Sequence, residues 1–469
     1  MWYEITTGVI NKIMDVQGLP AAEMSMLSEL MDIFNANAYK NYVKNQYYEG
    51  KISLNDVNLG IALPDGMSRL EIGCAWGAKT VDVLAARSVF DGFVGMNGYD
   101  IEELDKVVLD NSLIAEYDKA CRDELKYGCT FATLSADDSI KCKIRFHSPR
   151  TAAAKWDGEK GRIACGMAII DTRPSNDPEI DWEPSHVNLY TDDAIWELRS
   201  NGVYWTATRH PHRMRRPLME PLIWNATSDK PFGRSRIKEP VRRLIQGYVR
   251  TIANATIGLE FATTPQKYLL GVTDEQFDAV INQKFKQYVG SILASTTNPE
   301  TGEKPSFGQL PQGNIAPHVE MVRVLSTQFS AATGLSVTDT GVVNDANPTS
   351  SDAILAQTKT LVGMAEQLNK NNAVSLRTIG LMALAIINRT TMEALSEDEQ
   401  AIMAHFKNPS MPNIAATTDA ALKIASARPE FAGTDVFLEM VGFDKSDVAR
   451  IKAQEARQRG ISVLEELNE

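Results

Sequence analysis

No stretch of this chain comes near the roughly 20 consecutive apolar residues that a membrane-spanning helix needs, so a bilayer-embedded helical protein is not expected. The opening Met1-Trp2-Tyr3-Glu4 has no basic region ahead of an apolar one and is read as carrying no secretory signal. The five cysteines, Cys74, Cys121, Cys129, Cys142 and Cys165, are odd in number and include no Cys-x-x-Cys pair. That argues against a disulfide framework or a cysteine zinc site and predicts free thiols in a reducing compartment. Neither Gly-x-Ser-x-Gly nor His-Glu-x-x-His occurs. Acidic residues are so abundant that no pair stands out as an acid–base dyad. Positive charge is in short supply: 48 Lys and Arg face 60 Asp and Glu, for a net −12. Tight DNA binding rests on neutralising phosphates, so this chain is not expected to grip DNA. The balance does not exclude a surface past which DNA moves, since an acidic wall repels phosphate and keeps a duplex from sticking.

What is present is an ordinary folded-protein composition, 43% hydrophobic and 23% charged over 469 residues, enough for two to four structural units. Residues 1–60 read as helical, with Glu23 to Met31 at helical spacing and a stop at Gly50. Residues 61–130 mix helix and loop, with a short helix at Thr80–Arg87 and two more across 100–127. From 128 to 230 short alternating runs such as Ile140–Phe146 and Gly202–Thr208, punctuated by Asp157-Gly158 and Asn176-Asp177-Pro178, predict a β-rich segment.

Helix returns at 236–260, where Pro240 belongs in a first turn and Ile237, Val241, Leu244, Ile245, Tyr248, Ile252 and Leu259 make one apolar face. Residues 265–315 predict a small α/β insert: a strand at Gln266–Leu270, a helix at Asp274–Leu293 and a polar turn from Asn298. A helix opened by Pro317 and closed by Gly334 follows, with apolar Met321, Val322, Leu325, Phe329 and Ala332. After a small-residue loop at 335–350 comes the longest helical pattern, Ser351 to about Ile387, with Thr349, Ser350 and Ser351 as cap candidates. The tail, 395–469, reads as helical and charged.

Two motifs suggest other chemistry. Arg69-Leu70-Glu71-Ile72-Gly73-Cys74-Ala75-Trp76-Gly77 resembles the first motif of Rossmann-fold methyltransferases, with Asp100 at the distance of a ribose-binding acid. Ala75 stands where the backbone should approach a ligand, and the chain lacks an alternating strand–helix rhythm. The same turn, ending at Ala78-Lys79-Thr80, misses the glycine that a phosphate loop needs beside its lysine. The simpler reading is a buried small-residue turn. Arg209-His210-Pro211-His212-Arg213-Met214-Arg215-Arg216 concentrates positive charge. It reads as a basic surface loop able to touch DNA or a neighbouring subunit; with no carboxylate or cysteine close by, a metal site is disfavoured.

Several motifs share one order with a known family. Gly233-Arg234-Ser235-Arg236-Ile237 resembles the Gly-x-Ser-x-Ile turn that enters the first stem helix of phage portal proteins. Pro265-Gln266-Lys267-Tyr268-Leu269-Leu270-Gly271 is similar to the family's Pro-Gln-Arg/Lys-aromatic-x-x-Gly strand, and Asn347-Pro348-Thr349-Ser350-Ser351-Asp352-Ala353-Ile354 to the opening of its long wing helix. Tyr47-Tyr48-Glu49-Gly50, the Asp82 to Gly92 region, which is like the family's Val-Asp-x-Leu-Ala-x-Arg helix, and Thr418-Asp419-Ala420-Ala421-Leu422-Lys423 resemble further family segments. The chain thus resembles portals of siphophages infecting Gram-positive, including actinobacterial, hosts.

That resemblance implies an α+β portal fold: a wing at 1–235, a first stem helix at 236–260, a clip at 261–315 and a second stem helix at 316–334. A channel loop at 335–350, a long wing helix at 351–394 and a helical crown at 395–469 complete it. It implies a structural protein, not an enzyme, with no cofactor and no metal. Twelve subunits would form a ring at the capsid portal vertex of the virion, assembled in the host cytoplasm. Its partners would be the major capsid protein and scaffold, the large terminase during packaging, the head–tail adaptor afterwards, and the double-stranded DNA that passes through; no membrane is involved.

The DNA-facing loop would present Val337, Thr338, Asp339, Thr340, Val342, Val343, Asn344 and Asp345. On the stem, Arg242, Arg243, Arg250 and Arg323 would face the channel, a subunit contact or solvent. Lys267, Tyr268, Lys284, Lys286 and Lys304 of the clip would dock the terminase and adaptor. The alternative from another class is the methyltransferase.

Overall fold

The computed structural model describes residues 13, 16–52, 72–95, 102–174, 182–263, 267–270, 302, 306–309, 314–341, 351–410, 414–443 and 445–466. The chain divides into two compact units. One comprises Met1–Tyr42, Asp82–Ser235 and Lys359–Glu469, the other Val43–Val81 and Arg236–Thr358.

In the first unit, alternation writes the larger sheet. Among the described residues it runs in the order Val16–Gln17, Trp205–Pro211, Ala194–Ser200, Trp182–Tyr190, Arg162–Pro174, Ala152–Asp157. All neighbours are antiparallel except the first pair. Successive side chains of a strand point to opposite faces. Cys165, Met167, Ile169, Val187, Leu189, Trp196 and Leu198 therefore share one face and bury it against Leu27, Leu30, Met31 and Phe34 of the helix Ala21–Glu49.

A second sheet orders Met219–Ile223, Cys129–Asp137 and Lys141–His147, antiparallel, with the helix Leu113–Tyr127 packed against it. Its edge is not left open. Asn111 donates from Nδ2 to the carbonyl of Cys142 at 3.0 Å, and its Oδ1 accepts the Ile144 amide at 2.8 Å. One side chain thus imitates the missing strand.

The helices at Glu102–Asp110 and Leu113–Tyr127 and the turn at Asp157 stand where the sequence puts them. The strand expected at Gly202–Thr208 does not. It runs Trp205–Pro211, because Asn201 Oδ1 accepts the amides of Val203 and Tyr204 at 2.9 and 3.0 Å and turns the chain there, with Gly202 at φ +99°. Nor is the tail wholly helical. Ile402–Phe406 is a strand paired antiparallel with Phe90–Gly95, itself in a region expected to be helix and loop.

Phe90 and Phe406 meet Tyr117 at 5.7 and 5.6 Å between ring centroids. The long helix Ser351–Ile387 packs on this ribbon through Gly380, where a β-carbon would stand 3.0 Å from both Ile402 and Phe93. At ~1.5 Å per residue its 37 residues extend about 55 Å.

In the second unit, the helix Glu239–Thr263 packs along the helix Ala316–Thr333. Between them in sequence, Lys267–Leu270 pairs antiparallel with Ser306–Gln309. The buried stripe of the first helix steps in fours, Val241, Ile245, Val249, Ala253 and Ile257, and Gly247 approaches Leu325 so closely that a β-carbon would stand 3.2 Å away. Leu259, expected on that face, is 45% exposed. On the second helix Leu325 and Phe329 are buried, whereas Met321 is 46% exposed and Ala332 is also exposed. The short helix expected at Thr80–Arg87 runs Trp76–Ala85. The helix expected at Asp274–Leu293 and the turns from Asn176 and Asn298 lie outside the described residues.

Candidate channel segment and its supports

The site is built outward from the turn at Gly233–Ile237. Gly233 holds φ +69°, and a β-carbon there would overlap the Trp224 carbonyl oxygen. Only glycine fits both conditions. Ser235 Oγ donates at 2.6 Å to the carbonyl of Lys126, near the end of helix Leu113–Tyr127. In the second unit Arg236 is buried. Its Nε donates to the Thr80 carbonyl at 2.6 Å and its Nη2 to the Thr333 carbonyl at 2.7 Å. The latter belongs to the last turn of Ala316–Thr333, where carbonyls lack helical partners. Burial pushes the guanidinium down to about 10, so it stays charged at neutral pH.

Trp76 fills the space beside the two packed helices. Its ring lies 4.6 Å from Tyr248 and 4.6 Å from Phe329, between centroids. Its indole Nε1 donates to the Thr340 carbonyl at 3.1 Å. Thr340 also meets Ser326 hydroxyl to hydroxyl. Asp339 Oδ2 accepts the Ser336 amide at 3.0 Å and the Ser336 hydroxyl at 2.7 Å.

The first half of the expected channel loop is therefore a short 3-10 turn, Thr338–Thr340, fastened to the helix before it and followed by Gly341 at φ +81°. Val337, Thr338, Asp339 and Thr340 come together there. Val342, Val343, Asn344 and Asp345 lie outside the described residues.

The four arginines expected on the stem differ. Arg242 lies over the Tyr47 ring, 5.9 Å from its centroid, and Tyr47 Oη accepts from Gln246 Nε2 at 2.6 Å. Arg243 and Arg323 point outward and pair within their own helices, with Glu239 at 3.2 Å and Glu320 at 2.7 Å. Arg250 is exposed. Lys267 and Tyr268 stand on the short ribbon opposite Gln309 and Gly308. Lys284, Lys286 and Lys304 lie outside the described residues.

The two tempting motifs resolve as packing. A β-carbon on Gly77 would overlap the Tyr47 carbonyl oxygen, and one on Gly50 would stand 2.9 Å from the Cys74 carbonyl oxygen. Gly77 and Gly50 admit backbone, not a ligand. In the basic stretch, whose first three residues end the strand Trp205–Pro211, Arg209 pairs with Asp193 at 2.6 Å and Arg216 with the half-buried Glu220, and His210 Nε2 lies 3.1 Å from Glu197. No group of metal-ligating side chains occurs among the described residues, and each of the five cysteines is a buried free thiol.

Sequence reasoning missed the parts played by Trp76 and Arg236. Both lie in stretches it had singled out, but nothing there signals that their partners are main-chain carbonyls.

The described residues thus hold a packed helical pair with a short ribbon between its members in sequence, a fastened turn after it and then a long helix. The family model "Phage portal protein, SPP1 Gp6-like" matches residues 29–459, and the chain belongs to that family. Among solved structures it is similar to the virion of a native gene transfer agent particle, at 12% identity over 78% of this chain and 89% of that one, with a TM-score of 0.44. It is likewise similar to the neck of a native gene transfer agent particle computed with C12 symmetry, at 12% identity over 78% and 89%, with a TM-score of 0.43. Comparison with curated proteins gives no match. The methyltransferase reading finds no support in the family or in the glycine geometry.

Proposed function

We propose that this portal protein is one of about twelve identical subunits of a ring at a single capsid vertex, through which double-stranded DNA is packaged and later ejected. The observation that carries the reading is the packing of Glu239–Thr263 along Ala316–Thr333 with the ribbon of Lys267–Leu270 and Ser306–Gln309 between them in sequence. Two helices of that length serve as the stem, and the insert serves as the clip. Lys267, Tyr268, Lys284, Lys286 and Lys304 of the clip receive the large terminase and then the head–tail adaptor. The wing, at 1–235 and 351–394, and the crown, at 395–469, meet the major capsid protein and scaffold.

The channel loop, Val337 to Asp345, carries small and uncharged side chains apart from Asp339 and Asp345. Such a surface slides along phosphates without binding them. A ring with −12 per subunit adds a mean field that repels DNA. Hydrolysis of ATP then falls to the motor partner. Arg243 and Arg323, each with a carboxylate beside it, are suited to contacts between subunits rather than to holding DNA.

The test is to tag the chain and locate it in purified particles. About twelve copies at one vertex of each DNA-filled particle are expected. Copies spread over the shell, or filled particles without the chain, would contradict the reading.

A further inference from the structure

Inside the first unit a row of polar side chains is closed off from water between the helix Leu113–Tyr127 and the long helix Ser351–Ile387. Glu124 and Asn372 are fully buried. Asn372 Nδ2 donates to Glu124 Oε2 at 2.7 Å and to Tyr117 Oη at 2.9 Å, which uses both of its hydrogens. Tyr117 Oη lies 2.8 Å from Ser88 Oγ, and Ser88 Oγ donates to Asn369 Oδ1 at 2.6 Å. Two acceptors remain on the bonded pair, Glu124 Oε1 and Asn372 Oδ1. Both are buried, and neither has a donor among the described residues.

A carboxylate cannot satisfy that arrangement, because it has no proton to give and its own oxygen is left dry. A carboxylic acid has the one proton that the two oxygens lack. We propose that Glu124 is held as a neutral acid whose Oε1 proton is donated to Asn372 Oδ1, and that loss of this proton loosens the long helix from helix Leu113–Tyr127. Apart from the Asn372 Nδ2 bond back to Glu124 Oε2, the donors then run in one direction: Glu124 to Asn372, Asn372 to Tyr117, Tyr117 to Ser88, Ser88 to Asn369. Two buried acceptors and one missing hydrogen are accounted for by a single proton.

Among the described residues no cation offsets a charge at this place. On the same helix the titratable neighbours are Tyr117 and Cys121, both raised by burial and both neutral at ordinary pH. Lys126 has its ammonium 3.9 Å from Asp123. On the long helix, Arg377 donates to the main-chain carbonyls of Ile402 and Gln400. On the neighbouring ribbon, Asp91 faces His405 at 3.6 Å. Burial accordingly pushes the Glu124 carboxyl up to about 8, against a smaller opposing effect of the Asn372 hydrogen bond. In the unfolded chain the group ionises in the ordinary carboxylate range. Stability from this pair is thus fully present below that range and is lost as pH rises through about 8.

Glu124→Gln tests it, since a second amide reproduces the neutral acid, with one N–H for Asn372 Oδ1 and one carbonyl for Asn372 Nδ2. Thermal midpoints of the purified protein would be measured from pH 5 to pH 9. The wild type is expected to lose more stability over that range than E124Q, which should fold normally and equal or exceed it at pH 9. Infrared spectra supply the second readout: a protonated-carboxyl stretch at neutral pH that E124Q lacks. Parallel pH profiles with no such band would overturn the proposal. So would an E124Q that fails to fold, because a neutral acid, unlike a carboxylate, can be replaced by an amide.

Discussion

Gly77 packs against the main-chain carbonyl of Tyr47, so closely that a β-carbon on Gly77 would overlap that oxygen. A β-carbon on Gly73, four residues earlier, would meet nothing within 4 Å among the described residues. The pair separates packing from ligand binding. Gly77→Ala is expected to destabilise the protein by about 1–3 kcal/mol, as overpacking does, while Gly73→Ala changes little; thermal unfolding of both variants gives the comparison. A nucleotide-binding turn would need both glycines.

Arg236 holds two main-chain carbonyls, of Thr80 and Thr333, from a buried position. Arg236→Met keeps much of the volume and removes every donor. A loss of about 2–4 kcal/mol is expected, since each buried acceptor left dry costs about 1–3 kcal/mol. Denaturant titration measures it. Arg236→Lys should recover only part of the loss, because one ammonium cannot reproduce the guanidinium fork.

Trp76→Phe keeps a ring between Tyr248 and Phe329 and deletes the N–H that reaches Thr340. The expected global cost is about 1 kcal/mol. The local effect should be larger: amides at 338–341 should exchange hydrogen faster than in the wild type. Exchange followed by mass spectrometry reads this directly, and unchanged protection would show that the indole does not fasten the turn.

His147 is buried, with Nε2 3.1 Å from Thr133 Oγ1, and burial, with Arg145 adding to it, pushes its pKa down to about 4. The unfolded chain takes up the proton near pH 6.5, well before the folded one does. Stability from the neutral imidazole is therefore present above about 6.5 and lost as pH falls towards 4, by about 3 kcal/mol over the whole range. His147→Gln should flatten the acid limb of the stability profile between pH 7 and pH 4.

Much of this fold can be read in the sequence where one local rule governs. The long helix runs Ser351–Ile387, as its period predicts. Alternation in 128–230 identifies the sheets. Gly334 closes its helix at φ +74°. The misses have a common physical cause, dependence on a distant partner. Phe90–Gly95 carries Asp91 and Gly92 and is a strand only because Ile402–Phe406 pairs with it. Leu259 and Met321 fit the helical period but not the stripe that meets another helix. In the candidate channel segment, composition shows small and weakly charged residues. It could not reveal that Thr338–Thr340 turns back on Trp76 and Ser326.

The mass and symmetry of the purified protein test the central claim most directly. Negative-stain class averages with mass photometry should show rings with a central hole and about twelve subunits of 51.8 kDa each. A compact dimer that binds S-adenosylmethionine would contradict the portal assignment of the ring, stem and channel.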